Sequence, residues 1–144
     1  MIVSKLTIEM LTPERVTELW PKMEPLLSKA CEANEVAVDI SAEDIYKLSQ
    51  EDKLVIFACF DLGRLYTVLA IQFHTTYGKK GADVVAMAGK NLMAFKSAFW
   101  EPILEWLRAN DVQFLDAYSQ PRLANLYMSK FGFNKSCTFV RMTL

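Results

Sequence analysis

The chain is poor in the residues that announce a covalent or metal framework: three cysteines, Cys31, Cys59 and Cys137, and a single histidine, His74, among 144 residues. The cysteines are odd in number, widely spaced and without a C-x-x-C pair, which argues against a disulfide framework or a zinc knuckle. They read as buried thiols of a reducing compartment. With one histidine and no clustered cysteines or carboxylates in the sequence, no metal site is expected. Glycine and proline, five each, are too few for a collagen-like or disordered chain, and 52% apolar residues are too many for one. The longest apolar runs, 54–60 and 66–71, fall far short of the roughly 20 residues of a bilayer span. The first six residues lack the basic stretch and long apolar run of a secretory leader. A cytoplasmic protein without a membrane partner is therefore expected. Charge of one sign is also missing: sixteen Lys and Arg against seventeen Asp and Glu leave −1, so no global field favours a nucleic acid. No G-x-S-x-G, Walker loop or dinucleotide fingerprint occurs, so hydrolase, nucleotidase and dehydrogenase readings lack support.

What remains is one globular domain over 1–144, with enough apolar surface for a real core. Residues 2–10 alternate loosely and predict a first strand. Thr12-Pro13-Glu14 starts a helix: threonine caps free N–H groups, proline at the first position sacrifices no bond, and Glu14 complements the dipole. Pro21 and Pro25 follow inside 13–33, which predicts a broken or bent pair of helical pieces. Ser41 caps a second helix of about ten residues. Residues 53–60 and 64–76 predict a hairpin turned at Asp61-Leu62-Gly63, and 77–81 a glycine-bounded turn into a strand over 82–88. Apolar positions Leu92, Phe95, Phe99, Ile103, Trp106 and Leu107 mark a long helix over 90–110, with an irregularity at Pro102. A strand over 112–118, a helix over 121–130 stopped by Gly132, and a strand over 135–144 close the chain. The order is β-α-α-β-β-β-α-β-α-β, a mixed sheet flanked by helices, with the unit at 82–118 parallel and right-handed.

The segment from Gln120 to Phe133 carries Leu123-Ala124, Leu126-Tyr127 and Gly132-Phe133 at a spacing that resembles the last motif of the GCN5-related N-acetyltransferase superfamily. Gln120 stands where asparagine is usual. The resemblance implies an α/β (mixed α+β) fold with about six or seven strands and about four helices, in which acyl-CoA lies between the splayed fourth and fifth strands. It also implies an acetyl-CoA-dependent N-acyltransferase working by direct attack of an amine in a ternary complex, with acetyl-CoA as co-substrate. The strand backbone at Val85, Ala86 and Met87 would hold the pantetheine. Gly89, Lys90, Asn91 and Leu92 would take the pyrophosphate at a helix N-terminus. Tyr127 would protonate the departing thiolate, with Asp83 and Asp116 the nearest carboxylates for a general base. The usual phosphate loop of a glutamine or arginine followed by spaced glycines is absent around 84–92, where only Gly89 matches.

Each assignment has a plainer counterpart. Gly89 ends a strand and Lys90 is a solvated charge; Tyr127 packs the last helix onto the sheet; Asp83 and Asp116 face solvent or cap turns. His74 is either a base directed into the cleft or an edge histidine. Lys79 and Lys80 lie in a solvated turn or touch the adenosine phosphate. The acceptor would be a small-molecule or peptide amine, against a wall of Trp20, Met23, Tyr46 and Phe73, and members of the family often form homodimers. The alternative is a catalytically inactive protein of this fold, similar to those encoded by tailed bacteriophages, that serves as a structural or protein-interaction component.

Overall fold

A computed structural model describes residues 5–33, 40–117, 121–136, 140–142 and 144, with the side chains of 33 and 121–123 excepted. Five strands form one sheet in the order β1-β2-β3-β4-β5: β1 (Leu6–Met10), β2 (Leu54–Asp61), β3 (Arg64–Thr76), β4 (Lys79–Gly89) and β5 (Phe114–Ala117). The first four pair antiparallel, and β4 pairs parallel with β5. Residues 2–4 of the expected first strand lie outside the described residues. So do 137–139 and 143 of the expected last strand, and the described residues of 135–144 carry no strand. The sheet therefore has five strands among the described residues, not six or seven.

Both hairpins turn on two residues with positive φ, Leu62 and Gly63 in the first and Tyr77 and Gly78 in the second. This is the type I′ requirement, whose twist matches that of the flanking strands. The second turn is thus shorter than the 77–81 expected from its glycines. Gly81 lies inside β4 because the Phe114 ring of β5 fills the space a Cβ would take, with His74 Cε1 2.8 Å away.

Helix α1 (Pro13–Ala33) is continuous where two prolines predict a break. Thr12 Oγ1 accepts the Arg15 N–H at 3.2 Å, capping its start. Pro21 and Pro25 sit one turn apart on the exposed side, so the carbonyls they leave unpaired turn to water and the helix survives. Its buried side, Val16, Leu19, Met23 and Leu27, recurs every three or four residues. Helix α2 (Ala42–Gln50) opens with a capping box: Ser41 Oγ accepts from Asp44 N at 3.1 Å, and Asp44 Oδ2 accepts from Ser41 N at 2.9 Å.

These two helices cover one face of the sheet, over Ile56, Ala58, Val68, Ala70, Ala86 and Ala88. The alanines let helix and sheet approach closely. The other face, with Phe57, Cys59, Leu69, Ile71, Ala82, Val84 and Met87, is covered by α3 (Leu92–Phe95), a π-helical turn (Lys96–Trp100), α4 (Glu101–Ala109) and α5 (Pro121–Lys130). α3, the π turn and α4 run as one body, which makes four helical bodies among the described residues. The wide turn precedes Pro102 and accommodates the N–H that proline lacks. None of the described helices is long and apolar enough to cross a membrane.

Candidate functional site

Among the described residues β4 and β5 pair from Gly81–Phe114 to Val84–Ala117. Beyond that level β4 continues to Gly89, paired with β3 alone among the described residues. At the same level β4 bulges: Ile71 pairs with Val84 and Ala70 with Ala86, which leaves Val85 without an opposite residue. The bulge resets the alternation, so Val85 and Ala86 both pack toward α1 while Val84 and Met87 pack toward α3. Residues 85–89 consequently present backbone polar groups along an edge that no described residue of β5 covers, and such groups demand a partner.

That edge ends at a helix N-terminus. Gly89 has φ +127° and lies so close to β3 that a Cβ would overlap the Tyr66 carbonyl oxygen and stand 2.9 Å from Thr67 Cα. The Lys90 N–H donates to Tyr66 O at 2.8 Å, and Thr67 Oγ1 donates to Lys90 O at 3.0 Å. Glycine is therefore demanded here by the neighbouring strand. Asn91 is left-handed, at φ 56° and ψ 50°, and its side chain makes no capping bond. Its carbonyl accepts from Ala94 and Phe95. The first-turn N–H groups at Leu92 and Met93 have no intrahelical acceptor and carry the positive end of the helix dipole. Lys90 is exposed, but its N–H is spent on Tyr66, so only the later amides are free for an anion. Beside this junction, Tyr66 OH and Asp61 Oδ1 are buried with no hydrogen-bond partner among the described residues. Burial, then the nearby Cys59 and Asp61, pushes the Tyr66 phenol up to about 12. Nothing in the sequence pattern singles out this pair.

Asp83 precedes the bulge by two residues. It alternates with Ala82 and Val84, which pack toward α3, so its side chain is on the α1 face of the sheet. Asp116 is its direct register partner on β5. His74, on β3, brings Nε2 to 3.3 Å from Asp83 Oδ1, and one ligand atom from each of the three residues lies within 4.8 Å of the others. All three are half-buried. Burial raises the Asp83 pKa; the His74 charge opposes that shift and Asp116 adds to it. The expectation of no clustered ligands is thus corrected: strand register brings together residues 42 positions apart in sequence, from His74 to Asp116. The His74–Asp83 diagonal follows from the β3–β4 register, which a hairpin of known turn length specifies. The β4–β5 register, set by the intervening helix, is not legible.

Tyr127 lies on the opposite face, 5% exposed, in the α3–α5 cluster, with the Phe133 ring centroid at 5.2 Å and Phe131 at 6.0 Å. Gly132 turns the chain at φ +84°, and the Tyr127 carbonyl accepts from Phe131 N and Phe133 N. The buried Trp100 Nε1–H donates to Phe131 O at 3.1 Å, fastening α5 to the π turn. Burial pushes the phenol up to about 12, so at neutral pH it is a donor. The carboxylates and the phenol are not brought into contact; they stand on the two faces of the sheet. Of the expected acceptor wall, the Trp20 and Tyr46 rings pack tilted at 53° with centroids 4.9 Å apart, and Met23 is fully buried in the core. Phe73 belongs to the other face, against Trp106 at 5.9 Å, and is no part of that wall. Lys80 reaches over the Phe73 ring and donates to Asn110 O at 2.8 Å, engaged within the fold instead of standing free in a turn.

No family model and no curated protein matches the chain. Solved structures do. A ribosomal-protein-alanine N-acetyltransferase from Brucella melitensis biovar Abortus 2308 superposes with a TM-score of 0.70 at 11% identity, covering 97% of this chain and 99% of that one. An aminoglycoside acetyltransferase from an uncultured soil metagenomic sample gives 0.69 at 14%, covering 96% of each. A predicted acetyltransferase from Clostridium acetobutylicum, solved with acetyl-CoA, gives 0.68 at 11%, again covering 96% of each. At these identities the likeness is one of architecture, and it extends over nearly the whole chain: the protein has the mixed α/β fold of the GCN5-related N-acetyltransferases.

Proposed function

We propose that the protein is an acyl-CoA-dependent N-acyltransferase that moves an acetyl group from acetyl-CoA to an amine by direct attack in a ternary complex. The observation that carries this reading is the edge of β4 from Val85 to Gly89, which is uncovered among the described residues and runs into a helix N-terminus without a side-chain cap. An amide-bearing chain such as pantetheine can pair with Val85, Ala86 and Met87 as an added strand would, while a pyrophosphate meets the N–H groups around Asn91 and Leu92, with the Lys90 side chain nearby. Gly89 acts by keeping the junction in place.

The two faces divide the chemistry. On the α1 face Asp83 and Asp116 draw the acceptor's ammonium group and take up the proton it sheds. The amine nitrogen bonds to the thioester carbonyl carbon, whose oxygen is polarised by a β4 backbone N–H. The carbon–sulfur bond then breaks, and the buried Tyr127 phenol on the α3 face protonates the leaving thiolate. A small-molecule or peptide amine fits an acidic acceptor side. The fold's occurrence in an aminoglycoside acetyltransferase and in a ribosomal-protein-alanine N-acetyltransferase supports testing both classes.

The test is thiol release from acetyl-CoA with aminoglycosides, polyamines and peptides bearing an N-terminal alanine. Acceptor-dependent release is expected for at least one class, with Tyr127→Phe lowering kcat about a hundredfold and leaving the melting temperature near that of the parent. Thiol release that no amine stimulates would contradict the reading.

A further inference from the structure

We infer that His74, Asp83 and Asp116 form a binding site for one divalent transition-metal ion of the zinc type. The inference starts from an imbalance of charge. Asp83 and Asp116 are direct register partners on adjacent strands, and like charges so placed repel. The one cationic partner that an ion pair gives either of them among the described residues is His74. A protonated imidazole balances one of two carboxylates, whereas a dication bound to the neutral ring balances both.

Geometry supports the same occupant. Metal–ligand bonds of about 2.0–2.2 Å set neighbouring donor atoms about 3.0–3.4 Å apart in tetrahedral or octahedral sites. His74 Nε2 and Asp83 Oδ1 already stand 3.3 Å apart. No pair of the three donors exceeds 4.8 Å, so bringing Asp116 to ligand spacing from the other two takes a shift of at most about 2 Å, within reach of a rotation of its side chain. The three residues come from three adjacent strands and occupy one face, which leaves the outer positions for water.

The histidine is held for the task. Its Nδ1 is 3.0 Å from Thr76 Oγ1, a hydrogen bond that fixes the ring and leaves Nε2 toward the carboxylates, as outer partners of metal-bound histidines do. The Phe114 ring lies 5.4 Å from the imidazole. Gly81 makes room for both rings, since a side chain there would strike Phe114 and reach His74. One imidazole and two carboxylates suit zinc, manganese or cobalt better than magnesium, which binds through oxygen and keeps its waters.

Zinc and the acceptor's ammonium group would compete for the same two carboxylates, so the metal-free protein is the transferase, and zinc binding is read on it without any acyl donor. Calorimetric titration with ZnCl2 in a non-chelating buffer is expected to show one ion per chain with a dissociation constant in the micromolar range. His74→Gln and Asp116→Asn, which preserve side-chain size, should each weaken it by at least about tenfold; their metal-free melting temperatures report whether they fold. Mn2+ line broadening in the unmutated protein needs no variant, and should centre on the signals of 74, 83 and 116. Absence of saturable heat up to about 1 mM zinc, far above the range in which a three-ligand site fills, would overturn the inference. So would unchanged affinity in both folded variants, or broadening centred on a cysteine.

Discussion

Replacing Gly89 by alanine tests whether the β4–α3 junction is built as described. The new Cβ would overlap the Tyr66 carbonyl oxygen and press on Thr67 Cα, so β3 and the junction must separate. Two hydrogen bonds hold them together now, Lys90 N–H to Tyr66 O at 2.8 Å and Thr67 Oγ1 to Lys90 O at 3.0 Å. Losing them costs about 0.5–1.5 kcal/mol each, and holding an alanine at the backbone angle of Gly89 adds about 1–3 kcal/mol. The sum, about 2–6 kcal/mol, is a large share of the about 5–15 kcal/mol that stabilises an ordinary domain. Urea unfolding measures it as a fall in midpoint at constant slope. A loss below about 1 kcal/mol accompanied by loss of acetyl-CoA binding would refute the reasoning, because Gly89 would then be serving a ligand and not the neighbouring strand. For the same reason a charged substitution at Gly89 reports on the scaffold. Charge at the helix N-terminus is better reversed at the exposed Lys90.

Tyr77, 99% exposed at φ 51°, holds a left-handed position that asparagine tolerates better; Tyr77→Asn should gain about 0.5–1 kcal/mol, seen as a higher melting temperature. Trp100→Phe leaves the buried Phe131 carbonyl without its donor and should cost about 1–3 kcal/mol in urea unfolding, with α5 loosening first in hydrogen exchange. Alkali should destabilise the fold. Burial pushes Cys59 and Tyr127 up to about 12, so the folded state keeps protons that the unfolded chain releases from about pH 9 upward. Stability is then level below about pH 9 and falls through pH 10 and 11, which thermal melts across that range would show; melts independent of pH would contradict it.

What could be read from the sequence was local. The Ser41 cap, the hairpins around Gly63 and Gly78, and the apolar spacing from Leu92 to Leu107 are each decided within a few residues, by cap chemistry, backbone freedom and side-chain period. α1 went against its prolines because their placement on the solvent side is a tertiary fact. The irregularity at Pro102 was visible, but its form as a π turn that aims Trp100 at Phe131 was not. The site divides the same way. Tyr127 was marked by a short motif and the β4–α3 junction by Gly89 alone, whereas the grouping of His74, Asp83 and Asp116 depends on the parallel register of β4 and β5, which no local signal encodes. The Val85 bulge and the buried Tyr66 phenol carry no pattern at all.

The most direct test of the account is titration of acetyl-CoA into the isotope-labelled protein, followed by calorimetry and by the backbone amide signals. Saturable binding in the micromolar range is expected, with the largest shifts at residues 85–87 and 91–93 and smaller ones at Tyr127. No binding up to about 1 mM ligand, where even a complex of about −4 kcal/mol would be half formed, would contradict the assignment of the β4–β5 opening as an acyl-CoA site. So would saturable binding whose shifts fall away from that edge.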